Sequence, residues 1–184
     1  MLARAGLQQL VPEKSGRWSH NKGLFTELVQ ATQGCSIPDL LVILTRAKAL
    51  QVEHWPECVK AAEKLKLLQT MLGDLQSALS WTSIEDIDLL LQRVVALDLR
   101  GHDFSLLVSA VEQRLHRLQS LRRELRTAAR SSDIILLAGT LQTSDELGVR
   151  GSGVSHWKEV EVAEVRLKVL HALLAKMFMT QLAY

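Results

Sequence analysis

The chain has 184 residues, of which 47% are hydrophobic, 23% are charged and only 4% are aromatic, and its formal net charge is +2. This composition excludes a disordered chain, and the shortage of aromatic side chains favours helices over sheets. The near-balance of charge makes a nucleic-acid partner unexpected. No apolar run approaches the roughly 20 residues of a membrane-spanning helix. The two cysteines, Cys35 and Cys58, indicate no disulfide framework and a reducing compartment, so we expect the cytoplasm.

The N-terminal part of the chain has two readings. Residues 1–11 have the apolar spacing of a helix, and they resemble the end of the first helix of a hairpin. Arg4 is the only charged residue among them, so a mitochondrial presequence is the alternative. The glycines and polar residues at 13–23 predict a loop, and a short helix is expected over residues 24–32, ended by Gly34.

Three short helices are predicted further along the chain, each followed by a break and a long helix with Leu and Ala on one face. Their expected N-terminal caps are Ser36 for the first, Ser83 for the second and the segment Ser131–Asp133 for the third. The long helices are expected from Pro56 to about Ser80, from Phe104 to about Ala129, and from near Trp157 towards the end of the chain.

The ends of the short helices recur in the sequence. Leu44–Val52 matches Leu91–Leu99 position by position in character, and Leu147–Val149 takes the place of Leu97–Leu99. Recurrence at this spacing is typical of stacked supersecondary units, although amphipathic helices also resemble one another by chance. We therefore predict an all-α fold of stacked antiparallel helical hairpins, forming a short solenoid or an irregular bundle with coiled-coil-like packing. One domain is expected over residues 1–184, with repeat units at 37–80, 83–129 and 132–176 and a partial unit at 1–34.

The sequence offers little catalytic chemistry. The glycine-rich stretch Gly148–Gly153 follows no predicted strand and lacks the spacing of a phosphate loop, so it indicates a hairpin turn. Glu112 with His116, and His54 with Cys58, are pairs four residues apart, which are too few for a zinc or di-iron site. No nucleophile signature is present. We expect no catalytic residue, no metal and no cofactor.

The most polarised segment is 112–130, which has six arginines against two glutamates. Helical spacing places Arg123, Arg126 and Arg130 to one side of the apolar stripe, where they are candidates for binding an acidic partner, a phosphate-rich polymer or a calmodulin-like clamp. Arg114 and Arg122 fall in or beside the stripe, where they are expected to lie along apolar surface or to pair with a neighbouring carboxylate. The favoured interpretation is a solvated face that neutralises the acids of neighbouring helices, because the charge of the whole chain is almost balanced.

A second charge run, Glu159, Glu161 and Glu164, lies on the last helix. Carboxylates so close in sequence are expected to be solvated and to pair with basic residues of the same helix, namely Lys158, Arg166 or Lys168.

The repeated pattern Leu-x-Arg-Ala/Val-x-x-Leu-x-Val/Leu, a break and a long Leu/Ala helix resembles tandem helical-hairpin repeats in large scaffold and cytoskeleton-associated proteins of unicellular eukaryotes. The resemblance spans roughly Ile37 to Ala175 and implies a spacer or docking surface without catalytic residues. The predicted function is a non-enzymatic structural or protein-interaction module that binds a protein through helix faces or through the arginine-rich helix. The alternatives are an accessory subunit of a larger, mitochondrial complex and a helical enzyme with an unrecognised site.

The apolar residues at the C-terminal end of the sequence are expected to be buried against another protein surface. The chain finishes on Met177, Phe178, Met179 and Leu182 with no capping residue and no polar tail. Because the ends of a repeat array normally carry polar faces, we expect an oligomer, burial against a partner, or a fragment of a longer protein.

Overall fold

The computed structural model describes residues 14–99, 104–150 and 157–182, with the backbone alone at 14–22 and 182. These ranges contain seven α-helices and no strand, which confirms the predicted all-α fold. The helices are α1 (Lys14–Gln33), α2 (Ile37–Ala49), α3 (Pro56–Ala78), α4 (Ile84–Ala96), α5 (Ser105–Ala128), α6 (Ile134–Glu146) and α7 (Lys158–Leu182).

The chain divides into two compact units, Met1–Thr70 and Met71–Tyr184, with the boundary inside α3. In the first unit α1 packs against α2, and Leu28 of α1 and Leu40 of α2 are fully buried. An ion pair from Arg46 of α2 to Glu27 of α1 joins the same two helices. The single domain and the repeat boundaries expected from the sequence stay predictions.

The loop expected at 13–23 is wrong from Lys14 onwards, because α1 runs without a break from Lys14 to Gln33. The helix expected over residues 24–32 is the second half of α1. The segment contains no proline, and a glycine inside a helix costs only about 1 kcal/mol relative to alanine. Burial of Leu24 and Leu28 is large enough to offset that cost. Residues 1–11, with their two readings, lie outside the described residues.

The second unit is arranged around α5, which packs against α4, α6 and α7, while α6 also packs against α7. Arg122, late in α5, reaches Glu85 in the first turn of α4, so these helices are antiparallel. Arg114, in the first half of α5, reaches Leu147 just after α6, so α5 and α6 are antiparallel too. The buried side chains of α5 are Val108, Val111, Leu118, Leu121, Leu125 and Ala128.

The three short helices, α2, α4 and α6, have 13 residues each and begin with the same cap. A side-chain oxygen accepts a hydrogen bond from a backbone N–H three residues later, which satisfies one of the unpaired donors of the first turn. Ser36 and Ser83 cap α2 and α4 as predicted, and within the predicted capping segment 131–133 the residue that caps α6 is Asp133.

The three short helices also end in the same way. The residue after each C-cap has a positive φ, of 59° at Gln51, 52° at Asp98 and 70° at Gly148. The next N–H then donates back to a carbonyl five residues earlier, which closes the helix in a Schellman motif. The donors are Val52, Leu99 and Val149, whose side chains are buried, and the acceptors are the carbonyls of Ala47, Val94 and Ser144. The recurrence seen in the sequence is therefore matched by recurrent local geometry.

Candidate interaction site

The arginine-rich end of α5 faces the start of α7. Arg122 and Arg126 are one helical turn apart on α5, and both donate to the same oxygen of Glu159 in the first turn of α7. The Nε–Oε1 distance from Arg122 is 3.0 Å, and the shortest distance from Arg126 is 2.8 Å. The side chain of Glu159 is only 16% exposed. A half-buried carboxylate therefore holds two guanidinium groups at the junction of α5 and α7.

Arg122 has two further contacts that fix its position. Its Nη1 donates to Glu85 of α4 at 3.0 Å, and its guanidinium carbon lies 5.8 Å from the ring centre of Trp157. The Trp157 indole in turn donates to the carbonyl of Thr82 at 3.2 Å. A cation over an indole face adds attraction that a single ion pair lacks. Arg122 thus links α4, α5 and the residue preceding α7.

The electrostatics follow from this geometry. Burial disfavours the charged form of Glu159, but hydrogen bonds from Arg122 and Arg126 outweigh it and lower the pKa of the carboxyl to about 2. Hydrogen bonds to Glu159 and then to Glu85 raise the pKa of Arg122. A backbone hydrogen bond, followed by the one from Arg122, lowers the pKa of Glu85. All three groups therefore stay charged throughout the physiological pH range.

Beside this ion-pair cluster lies an open cleft of about 400 Å³, which we call the α5–α7 cleft. Val162 supplies exposed apolar surface, whereas Leu125, which also lines the cleft, is buried. Among the described residues, no carboxylate lies within 4 Å of the nitrogens of Arg130 or Lys158, which also line the cleft. The full lining is Arg122, Leu125, Arg126, Ala129, Arg130, Lys158, Glu159 and Val162.

The cleft separates the three arginines that the sequence grouped together. Arg126 and Arg130 line it, whereas Arg123 does not and instead donates from Nε to the Gln119 carbonyl of its own helix. Sequence reasoning missed Lys158 as a site residue. The position of Lys158 next to Glu159, at the predicted start of the last helix, is visible in the sequence. Its proximity to the arginines is not, because that depends on the packing of α7 against α5.

The two arginines expected beside the apolar stripe behave differently from each other. Arg122 pairs with carboxylates of neighbouring helices, as expected. Arg114 donates to two backbone carbonyls, of Trp81 at 3.3 Å and of Leu147 at 2.7 Å. Burial and then the charge of Arg117 lower the pKa of Arg114. Arg114 is therefore a structural connector between the α3–α4 turn and the end of α6.

The expected pairing of the acidic run within α7 is wrong at Glu159 and Glu164. Glu159 pairs with α5, and Glu164 accepts from Arg150, which follows α6. Both acids take partners from another element because α7 turns this side of its first half towards α5 and α6.

The other polar positions do not assemble a reactive site. Across residues 23–99, 104–150 and 157–181, no three metal-binding side chains come together. Glu112 and His116 are exposed, and Cys58 is buried, with burial followed by Glu57 and Glu53 raising the pKa of its thiol. Gly148 serves the C-terminal turn of α6, as the predicted hairpin turn requires, and 151–153 lie outside the described residues.

None of the described helices combines the length and the apolar character that crossing a bilayer requires. Comparisons with family models, with curated proteins and with solved structures gave no match to this chain. The resemblance to helical-hairpin repeats of scaffold proteins therefore stays a prediction.

Proposed function

We propose that this chain is a non-enzymatic protein-interaction module that binds an acidic, partly apolar segment of a partner in the α5–α7 cleft. The main support for the proposal is that only some of the cations lining the cleft are paired with a carboxylate. Glu159 forms ion pairs with Arg122 and Arg126. Arg130 and Lys158 lie beside the apolar lining of the cleft, and no carboxylate of the described residues lies within 4 Å of their side-chain nitrogens. A peptide carboxylate that reaches these two cations forms charge-assisted hydrogen bonds.

The shape and composition of the cleft favour a peptide over a small anion. It is open to solvent, and the exposed Val162 on its lining offers contact to an aliphatic or aromatic side chain. A small inorganic anion would contact only the cations and would leave the apolar lining exposed to water. An acidic segment with one apolar residue between its carboxylates uses both, and this mode also suits an accessory subunit within a larger complex.

Peptide selection with the full chain tests this proposal. Phage-displayed peptides are selected on the parent and measured by fluorescence anisotropy on Arg130→Glu/Lys158→Glu, with Arg123→Glu as the matched control on the same helix. We expect acidic peptides with apolar residues that bind the control like the parent and bind the double variant about tenfold or more weakly. Their affinity should fall with added salt.

Two results contradict the proposal. One is the absence of any enriched acidic peptide. The other is a set of enriched peptides that bind the parent and the double variant equally. Circular dichroism of the three proteins provides the control for folding, because the substituted positions do not belong to the buried core.

A further inference from the structure

The side chains in the second half of α7 are exposed to solvent. From His171 to Gln181 every side chain is exposed, including Leu173 at 53%, Met177 at 61% and Phe178 at 62%. Large apolar residues concentrated over three turns of one helix are unusual on a protein surface and mark an interaction site. The first half of α7, by contrast, buries Val160, Ala163 and Leu170.

The face that α7 exposes corresponds to a face that α5 buries. Val108, Val111 and Leu118 of α5 have the same spacing as the buried residues of α7, at an offset of 52 positions (160 − 108). The same offset pairs Leu121 with Leu173 and Leu125 with Met177. Leu121 and Leu125 are buried in α5, which packs against α4, α6 and α7, whereas Leu173 and Met177 are exposed on α7, which packs against α5 and α6. The α7 face therefore has the pattern of a surface that receives a short helix.

Two arginines extend this correspondence to the polar contacts. Arg114 of α5 and Arg166 of α7 share the offset (166 − 114 = 52) and both donate to the chain that follows the preceding long helix, at the carbonyls of Trp81 and Ser131. The Nη2 of Arg114 also binds the carbonyl of Leu147, at the C-terminus of α6. The Nη2 of Arg166 has only a long contact of 3.5 Å, to the Ser132 hydroxyl.

We propose that the α7 face formed by Leu173, Met177 and Phe178 docks an amphipathic helix of a partner protein, resembling α6 and antiparallel to α7. The C-terminal carbonyl of that helix accepts from Arg166. The dimensions agree, because the 13 residues from Arg166 to Phe178 form a helical segment about 20 Å long, the length of a 13-residue helix such as α6. The occupant is thus specified by its length and its direction.

A peptide with the sequence of α6 and its caps, Ser131–Val149, is the probe. Labelled with fluorescein and titrated with the full chain, it should show saturable anisotropy. Leu173→Asp/Met177→Asp should weaken binding about tenfold or more, because each buried aliphatic side chain contributes substantially. Arg166→Gln should weaken it about threefold to tenfold through loss of the carbonyl contact. Leu106→Asp, at an exposed position on α5, should leave binding unchanged.

These anisotropy measurements, together with light scattering and vesicle sedimentation, test the proposal against a second copy of the chain and a lipid surface as occupants of the α7 face. Absence of saturable binding up to about 1 mM overturns the proposal. Equal binding by the parent and Leu173→Asp/Met177→Asp also overturns it, because the peptide then binds elsewhere or displaces α6. A dimer in light scattering that Met177→Asp dissociates assigns the face to a second copy instead. Sedimentation with phosphatidylcholine–phosphatidylserine vesicles, lost in the same variant, assigns it to a lipid surface.

Discussion

Helices α5 and α7 share a pattern of apolar residues, yet they differ in what covers them. Around α5 lie α4, α6 and α7, and its apolar face is buried to its last turn. Helix α7 is covered only in its first half, where it contacts α5 and α6. The comparison teaches that an apolar stripe predicts a face that needs a neighbour, whereas burial depends on whether that neighbour is present. The predictions below test this difference at matched positions.

Truncation of matched leucines should give the largest contrast. Leu121→Ala in α5 removes a fully buried side chain and leaves a cavity, so it should lower the free energy of unfolding by about 2–5 kcal/mol. Leu173→Ala in α7 alters an exposed side chain and should change that free energy by no more than about 0.5 kcal/mol. Urea denaturation followed by circular dichroism measures both. Similar losses in the two variants would contradict the assignment of Leu173 to an uncovered face.

The matched arginines should give a smaller contrast. Arg114→Met keeps the apolar stem but removes the donors to the Trp81 and Leu147 carbonyls, so the free energy of unfolding should fall by about 1–2 kcal/mol. Arg166→Met removes two longer contacts and should cost about 0.5 kcal/mol or less. Urea denaturation at neutral pH checks the order of the two variants. The reverse order would refute the role of Arg114 as a connector.

The ion pairs of Glu159, in the first turn of α7, should make the free energy of unfolding depend on pH. Because the pKa of Glu159 is about 2 in the folded chain and near 4.5 in the unfolded chain, its ion pairs stabilise the fold above about pH 4.5. That stability is lost as pH falls from about 4.5 to 2. Allowing for the exposure of Arg126, the contribution is about 1–2 kcal/mol.

Replacement of this acid provides the measurement. In Glu159→Gln the free energy of unfolding should be lower at pH 7 and should vary less between pH 5 and pH 2 than in the parent. Glu63→Gln, an exposed position on α3, is the matched control and should reproduce the pH profile of the parent. A parallel profile in Glu159→Gln and the parent would show that the ion-pair cluster does not contribute to stability.

Local chemistry explains which features the sequence predicted. Ser36, Ser83 and Asp133 cap helices because their side chains satisfy the first-turn N–H groups, and that requirement is readable without a structure. The loop expected at 13–23 failed because glycine is a weak helix breaker when the adjacent turns, with Leu24 and Leu28, pack on another helix.

The candidate site was predictable only in part. Helical spacing assigns each arginine of α5 a direction, which sufficed to place Arg126 and Arg130 on a surface away from the apolar stripe. It does not identify the helix that lies in that direction. The pairing of Arg122 and Arg126 with Glu159, and the exclusion of Arg123 from the cleft, depend on how α7 packs against α5. Sequence spacing contains no information about that packing.

Amide hydrogen exchange along α5 and α7 of the full chain tests the central claim most directly. Amides in the middle of α5, 111–125, should exchange only through global unfolding, because α4, α6 and α7 pack against this helix and bury its apolar face. Amides at 172–181 of α7 should exchange on the order of a hundredfold or more faster, and the Ser131–Val149 peptide should slow them. Equal protection of the two segments in the free chain would contradict the claim that the second half of α7 lacks a covering helix.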